Sequence, residues 1–353
     1  MLSEPAEHDG ILGEALVEVN EPVATGAAEA MIFRHYGLRC RAKGLSGEKD
    51  SNFHVADETG RQFLFKVVHG SEDRLITNLQ TQALLHVAQR DPDVPIQRVI
   101  PALSGEAEVE GDGSRMIRLV TFMPGVLQRH ATPSRAQREN VGAALARLQV
   151  ALADFRHPAE DHRLAWDLKH VSDLRPLAAS IPRADDRAIL ETILDRFDAE
   201  VAPRLTEARS QAVHNDLNGD NVVVDASDVE TVTGILDFGD LVRTPLVIDV
   251  AVAAAYQLST DGDPLEGALD LIRGFTAIRP LESGELDVLF DLILARMVLR
   301  ISITEWRAAR FPENSAYILR NTPLAWAQLK HLVSLPRRGA IEAIVNASNL
   351  RSR

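Results

Sequence analysis

One polar segment, residues 213–240, constrains the fold of this 353-residue chain more than any other feature of its sequence. Asn221 follows Asp216 by five residues, and Asp237 follows Asn221 by sixteen. Between Asn221 and Asp237, two short apolar runs rich in β-branched residues flank a polar stretch at 225–230, a pattern that predicts a two-stranded hairpin. One strand therefore follows the loop that holds Asp216, and the next strand delivers Asp237 at its end.

These residue types, in this order, suit the transfer of a phosphoryl group to a hydroxyl group. The reaction needs a group that orients the attacking hydroxyl and accepts its proton, and it needs Mg²⁺ to neutralise the phosphate charge through oxygen ligands. Kinase sites use an aspartate for the first task, and an asparagine and the aspartate of an Asp-Phe-Gly motif for the second. Asp216 is therefore the predicted catalytic residue, and Asn221 and Asp237 are the predicted metal ligands.

At these residues the chain resembles the superfamily of aminoglycoside phosphotransferases and choline kinases, which are small-molecule kinases with a protein-kinase-like fold. Within it, the string DFGDLVRTPLVIDVAVAAAY, which starts at Asp237, is most similar to the branch of hydroxylysine kinases and type II homoserine kinases. The resemblance implies an α+β fold of two lobes, in which a small N-lobe with an antiparallel sheet precedes a larger, mostly helical C-lobe.

The pattern along the chain agrees with two lobes. Residues 1–26 show little periodicity and are interpreted as an N-terminal extension, 27–123 as the nucleotide-binding N-lobe, and 124–353 as the C-lobe with the catalytic loop and the acceptor pocket. The N-lobe patterns predict helices at 27–37 and 71–89, and strands at 52–55, 62–68, 100–103 and 115–122. The C-lobe patterns predict helices at 134–155, 183–201, 265–278, 285–309 and 324–335.

The nucleotide site is predicted around Lys66, which stands in a strand pattern, because kinases use a strand lysine to reach the α- and β-phosphates. The preceding loop, 44–53, resembles the nucleotide-binding loop of the family, although a plain connecting turn is an alternative for each of its residues. Its candidate phosphate contacts are Ser46, Gly47 and Asn52. The resemblance also implies that the segment Thr121, Phe122 and Met123 joins the lobes and binds the base through its backbone, which leaves both ATP and GTP open.

The partner of Lys66 departs from the usual kinase pattern. Related kinases pair this lysine with a helix glutamate, whereas the best-placed residue here is Gln80, which supplies no charge. Glu72 or Asp73 would take the role if the helix had a different register.

Four further candidates surround the catalytic segment. Asn215 replaces the glycine of the usual His-Gly-Asp triplet, and asparagine tolerates the left-handed backbone that such a loop needs. His214 is predicted to brace the loop through hydrogen bonds, and Asp240 is a candidate for a second layer around the site. Asp249 lies in an apolar run and is interpreted either as a brace of the catalytic loop or as an acid at a helix N-terminus.

The acceptor pocket is predicted from three residues of the C-lobe. Asp167 either pairs with a substrate ammonium group or caps a helix before Leu168. Arg296 and Arg300 are four residues apart on one predicted helix and are candidate ligands of a substrate carboxylate, and Arg307 lies seven residues further along the same predicted face. The alternative for this pair is a solvated helix face with intramolecular ion pairs.

Composition limits the class of partner. A formal net charge of −13 argues against a nucleic-acid partner, which needs a basic face. The only cysteine, Cys40, fits a reducing compartment. The acidic start of the chain does not resemble a signal peptide, and its most apolar run, 246–258, is shorter than the ~20 residues of a membrane span. We predict a cytoplasmic protein without a membrane partner, and its oligomeric state stays open.

Together these features predict a kinase that uses Mg²⁺ and ATP, or GTP, to phosphorylate a small hydroxylated amine or amino acid of the hydroxylysine or homoserine type. An aminoglycoside or choline-type kinase is the alternative within the same class. A non-catalytic nucleotide-binding pseudokinase is the alternative outside it, because the helix glutamate is missing and the His-Gly-Asp triplet is altered. A protein kinase is disfavoured, since no Ala-Pro-Glu motif follows Asp237.

Overall fold

An antiparallel sheet forms the first lobe of the computed structural model, which describes residues 23–45, 47 and 50–349. Its strands are β1 (Cys40–Leu45), β2 (Ser51–Asp57), β3 (Gln62–Val67), β4 (Val99–Ile100), β5 (Val109–Glu110) and β6 (Met116–Thr121). They lie in the order β1-β2-β3-β6-β4, and β5 pairs with the first two residues of β6. Side chains alternate between buried and partly exposed along β2 and β3, as expected for strands with one face on a core.

Two helices pack beside this sheet, α1 (Thr25–Tyr36) and α2 (Arg74–Arg90). The prediction that the first helix ends at Gly37 is confirmed, since this glycine has a φ of 69° and donates its N–H to the Phe33 carbonyl. The helix begins at Thr25, two residues before the predicted start. The second helix begins later than predicted, because Asp73 caps it by accepting the N–H of Leu75.

The predicted strand at 100–103 is wrong beyond its first residue. Only Val99–Ile100 pairs with β6, and the side chain of Leu103 is 72% exposed. The predicted strands at 52–55, 62–68 and 115–122 are confirmed as β2, β3 and β6, with ends that differ by a few residues.

The second lobe is mostly helical. Its helices are α3 (Arg135–Ala151), α4 (Arg175–Ala179), α5 (Ala184–Arg196), α6 (Ala202–Leu205), α7 (Leu246–Ala255), α8 (Glu266–Ile278), α9 (Ser283–Arg310), α10 (Ser315–Ile318), α11 (Thr322–Val333) and α12 (Arg337–Asn349). The five helices predicted for this lobe are therefore present as α3, α5, α8, α9 and α11. Among the described residues, no helix combines the length and the apolar character needed to cross a bilayer.

Short strands in the second lobe position the polar segment 213–240. They are β7 (Val126–Leu127), β8 (Ser210–Val213), β9 (Val222–Val224), β10 (Val232–Ile235) and β11 (Val242–Pro245). The predicted hairpin is confirmed, since β9 and β10 pair antiparallel, and β7 adds to the other side of β9. The catalytic loop thus leaves one small sheet at the end of β8 and enters another at the start of β9.

The hydrophobic core of the second lobe extends into the first. Buried residues of α2, among them Leu79, Ala83 and Val87, belong to the same apolar cluster as α3, α7 and α9. A separate cluster fills the space between α1 and the opposite side of the large sheet. Helix α2 belongs to the first lobe in sequence but shares a hydrophobic cluster with the second. The predicted boundary between the lobes at residue 123 therefore stays a prediction.

Candidate active site

His214 ties the catalytic loop to the strand that precedes Asp237. Its side chain is fully buried. The Nδ1 atom accepts the N–H of Asp216 at 3.2 Å, and Nε2 lies 2.8 Å from the carbonyl oxygen of Leu236. These two partners define the tautomer, because Nδ1 must accept and Nε2 must donate. The imidazole also packs edge-on against Phe238, with 5.2 Å between the ring centres.

Asn215 adopts the backbone conformation for which the family favours glycine. Its φ is 64°, and its N–H donates to Oδ1 of Asp249 at 2.8 Å. Asp249 lies in the first turn of α7 and accepts a second hydrogen bond from Gln149, so both predicted interpretations of this acid describe part of its position. Burial raises the pKa of Asp249, against the influence of His214 and these hydrogen bonds. The loop is therefore held by a buried carboxyl group.

Asp216 lies at the centre of a polar network. Its Oδ2 accepts hydrogen bonds from the amides of Asn218 and Asn221, each at 2.9 Å, and its Oδ1 lies 3.1 Å from the guanidinium of Arg296. Burial raises the pKa of Asp216, and Arg296 and His214 oppose that change. A raised pKa suits a group that accepts a proton.

Asn221 and Asp237 present oxygen atoms on either side of this network. The Nδ2 atom of Asn221 donates to the side chain and to the carbonyl of Asp216, each at 2.9 Å, while its Oδ1 accepts from no described residue. Asp237 has a φ of 53°, and its side chain is 57% exposed. Lys66 lowers the pKa of Asp237. The two residues thus offer an amide oxygen and an ionised carboxylate.

This donor set fits Mg²⁺ better than a metal that needs a dedicated protein cage. In the described part of the chain, no three His, Cys, Asp or Glu residues cluster so that they could hold a metal ion. Mg²⁺ is bound by one or two protein oxygens, with water and substrate phosphates completing its octahedron. Asn221 and Asp237 would hold such an ion, which when bound would neutralise phosphate charge.

Lys66 lies between two carboxylates. Its Nζ is 2.8 Å from Oδ2 of Asp50 and 4.0 Å from Oδ1 of Asp237. The proposed contact with Gln80 is not formed among the described residues, because the Gln80 carbonyl accepts a hydrogen bond from Arg118 at 2.8 Å. Of the two alternatives, Asp73 caps α2 by accepting the N–H of Leu75, and Glu72 lies before the helix in the chain. Sequence reasoning missed Asp50 because an acid in a loop carries no periodic signal.

The other nucleotide candidates fall in two places. Ser46 lies outside the described residues. A Cβ atom on Gly47 would lie 2.5 Å from the Asp50 carbonyl oxygen, so this close approach of the two residues requires glycine. Asn52 lies directly opposite Lys66 in the β2–β3 register, on the same face of the sheet. Gly47, Asn52 and Lys66 are therefore neighbours.

In the segment between the lobes, the backbone hydrogen bonds of Thr121, Phe122 and Met123 differ. The N–H groups of Thr121 and Phe122 donate to the carbonyls of Arg98 and Gln62. Within the described ranges, neither the N–H nor the carbonyl of Met123 forms a hydrogen bond. The base-binding role of this segment stays a prediction.

Arg296 and Arg300 enter the site from the long helix α9. Arg296 is 1% exposed, and its guanidinium donates to Asp216, to the Trp166 carbonyl and to the Tyr256 hydroxyl. Burial acts to lower the pKa of Arg296, but Tyr256, Asp216 and Asp240 outweigh it. These contacts exclude a solvated helix face for Arg296.

Arg300 differs from Arg296, because no carboxylate of the described residues forms an ion pair with it. Its guanidinium lies 4.5 Å from the centre of the Tyr256 ring, and its polar contact is the sulfur of Met297 at 3.6 Å. It forms no ion pair within the described part of the chain. Burial lowers the pKa of Arg300, and the neighbouring Arg296 adds to this effect. Tyr256, which follows α7, was not predicted as a site residue.

Of the two interpretations of Asp167, the structure supports helix capping. It is fully buried, and its Oδ1 accepts the N–H of Lys169 and the hydroxyl of Thr244. Its Oδ2 lies 3.1 Å from the Lys169 ammonium group. Because protein groups contact both oxygens of this carboxylate, the structure does not favour Asp167 as a ligand of a substrate ammonium.

The chain is similar to known proteins along most of its length. The profile of a family described as "Phosphotransferase enzyme family" matches residues 41–282. A hydroxylysine kinase of Mus musculus is 26% identical over 351 residues, which cover 92% of this chain and 93% of that protein. A homoserine kinase of Brucella abortus is 25% identical over 312 residues, covering 84% and 88%. The solved structure of a microcompartment-associated aminopropanol kinase superposes with a TM-score of 0.67, at 18% identity, over 93% of this chain and 99% of that one.

Proposed function

The chain belongs to the phosphotransferase enzyme family and is a small-molecule kinase, and we propose that its acceptor is a hydroxylated amino acid of the hydroxylysine or homoserine type. The phosphoryl donor in this proposal is ATP, with GTP as the alternative, and Mg²⁺ is the metal. The substrate assignment rests on one observation, the two neighbouring arginines beside Asp216, of which one lacks an acidic partner.

Arg300 is partly buried, and a partly buried cation without an ion-pair partner carries a cost that an anionic ligand reduces. Arg296 is neutralised by Asp216, whereas Arg300 meets only the face of Tyr256 and a thioether. Arginine binds carboxylates through two parallel hydrogen bonds. A substrate carboxylate on Arg300 would therefore neutralise the site, and the remainder of a short amino acid would extend towards Asp216.

The residues divide the work of phosphoryl transfer between them. In this proposal Asp216 orients the acceptor hydroxyl and takes its proton, which its raised pKa favours. Lys66 contacts the phosphates from β3, and the backbone of Met123 contacts the base. Mg²⁺ held by Asn221 and Asp237 would supply charge neutralisation. His214 and Asp249 keep Asp216 in place through the loop.

The test compares acceptors that differ only by a carboxylate. Homoserine and 3-amino-1-propanol form such a pair, and threonine and 1-amino-2-propanol form another. Release of ADP or GDP with Mg²⁺ is measured for each pair, for hydroxylysine, for choline and for several aminoglycosides, with Asp216→Asn as the blank. We expect activity with the carboxylate-bearing members. A preference for the decarboxylated amines, for choline or for an aminoglycoside would refute the amino acid assignment and favour the alternative acceptor.

The pseudokinase alternative has its own outcome in the same experiment. It predicts Mg²⁺-dependent nucleotide binding and no transfer above the Asp216→Asn blank for any acceptor. Asp216, Asn221, Asp237 and Lys66 are all present and lie in one network, which does not favour this alternative.

A further inference from the structure

Helix α2 cannot hold Lys66 in the way that a helix glutamate would. The helix sequence, RLITNLQTQALLHVAQR, contains no acidic residue. The residue nearest to the expected position, Gln80, is engaged by Arg118. A lysine that approaches phosphates still needs an acid to orient it, because its flexible stem otherwise leaves the ammonium mobile.

Arg118 explains why Lys66 has no partner on α2, because it occupies the side chain of Gln80. Arg118 lies directly opposite Lys66 in the β3–β6 register, so the two side chains leave the same face of the sheet. Arg118 is 5% exposed, and its guanidinium donates to Gln80 at 2.8 Å and to the hydroxyl of Thr81 at 2.9 Å. A glutamate at position 80 would therefore meet the guanidinium of Arg118 before it met the ammonium of Lys66.

Asp50 supplies the acid from the opposite side. One of its carboxylate oxygens lies 2.8 Å from Lys66 Nζ, and the other accepts the N–H of His69 at 2.8 Å. The His69 contact fixes the carboxylate beside the end of β3. Lys66 Nζ is 1.2 Å closer to Asp50 than to Asp237, since the two distances are 2.8 and 4.0 Å.

We propose that Asp50 is the positioning residue of Lys66 and that its task is to keep the lysine off Asp237, the carboxylate that would hold the metal. The inference rests on the proposed use of a magnesium nucleotide. Without Asp50, Lys66 would still have Asp237 at 4.0 Å, and an ion pair there competes with Mg²⁺ for the same oxygen. The acid that related kinases carry on a helix thus stands in the loop that precedes β2.

The test titrates Mg²⁺ at a fixed concentration of the non-hydrolysable nucleotide AMP-PNP and measures nucleotide binding to the full chain. Asp50→Asn is expected to raise the Mg²⁺ concentration for half-maximal binding by about tenfold, the size of one charge-assisted contact. Asp50→Glu, which keeps the carboxylate, should lie closer to wild type than to Asp50→Asn. Glu58→Gln is the matched control, since it removes one exposed acid from the β2–β3 turn. Thermal unfolding confirms that each variant is folded.

A second background separates positioning from a simple loss of negative charge. If Asp50 acts through Lys66, Asp50→Asn in a Lys66→Met protein should change the Mg²⁺ requirement by less than about twofold. If Asp50→Asn raised the Mg²⁺ requirement equally in the wild-type and Lys66→Met proteins, the proposal would be overturned. The same holds if Gln80→Met raised the Mg²⁺ requirement as much as Asp50→Asn does. If wild type itself binds no AMP-PNP with Mg²⁺, the proposed nucleotide site fails. If wild type binds and Asp50→Asn behaves like Glu58→Gln, only the role of Asp50 fails.

Discussion

Replacing Arg300 by methionine should weaken the enzyme towards its acceptor and stabilise the folded chain. The guanidinium of Arg300 lies among Tyr256, Met297 and the cationic Arg296, and no carboxylate of the described chain pairs with it. Methionine has a similar reach and carries no charge, so it fills the space beside Tyr256 without the cost of a buried cation. The two effects have opposite signs because the same charge is unfavourable without substrate and favourable with it.

The magnitude follows from the contacts. A hydrogen bond from arginine to a carboxylate contributes about 1.5–3 kcal/mol, which corresponds to roughly 10- to 150-fold in kcat/KM. We expect a loss of that size for homoserine or hydroxylysine and a much smaller one for 3-amino-1-propanol. Arg300 is only partly buried, so its removal should stabilise the fold by no more than about 1 kcal/mol.

The assay is a steady-state ADP release measurement with both acceptors, combined with thermal unfolding of the protein without ligand. Arg338→Met serves as the comparison, because it removes an exposed arginine from α12. An equal loss for homoserine and for 3-amino-1-propanol would refute the carboxylate argument. A clear drop in the unfolding midpoint of Arg300→Met would refute the argument that this cation is unfavourable in the free enzyme.

Three other variants or conditions test separate parts of the structure. Asp216→Asn should lower turnover by about 10²–10⁴-fold while AMP-PNP binding stays close to wild type, as measured by ADP release and titration. Burial raises the pKa of Asp216, so the acidic limb of the pH profile of kcat/KM should lie above the usual aspartate range near about 3.9, and a limb at or below that value would contradict the assignment. Gly142→Ala should destabilise the fold by about 3 kcal/mol or more in chemical unfolding, because its Cβ would lie 2.0 Å from the Leu271 carbonyl oxygen where α3 crosses α8. Gly26→Ala is the control for that variant, since nothing lies within 4 Å of its Cβ, and a similar loss in both would contradict the argument.

The predicted elements that were right depend on local signals. The hairpin before Asp237 follows from two β-branched runs around a polar turn, and the end of α1 follows from a glycine that alone accepts a left-handed backbone easily. The segment 213–240 was informative for the same reason, since a loop, a strand, a turn and a strand fix the relative order of Asp216, Asn221 and Asp237. The start of α2 was missed because Ser71 and Asp73 are both good capping residues, and only the backbone decides between them.

The parts that were missed depend on contacts between distant elements. The ion pair between Lys66 and Asp50 joins a strand to a loop. Gln80 was wrongly predicted as the partner of Lys66 because it binds Arg118, which lies opposite Lys66 only through the register of β3 and β6. No spacing within one element predicts such a register. Tyr256 was missed for a similar reason, because it becomes a site residue only when α7 and α9 pack side by side.

The arginines of α9 show which physical signal could have decided between the two interpretations of that helix. A stripe of arginines at a spacing of four is compatible with a solvated face only if the helix has such a face. Most residues of the stretch from Leu286 to Ile303 are buried, whereas Asp287 is exposed and Arg300 is partly exposed. A helix that buries most of its surface leaves little room for a solvated face. A cation on its buried part needs a partner or a ligand. For Arg296 the partner is Asp216, and for Arg300 we propose that it is the carboxylate of the substrate.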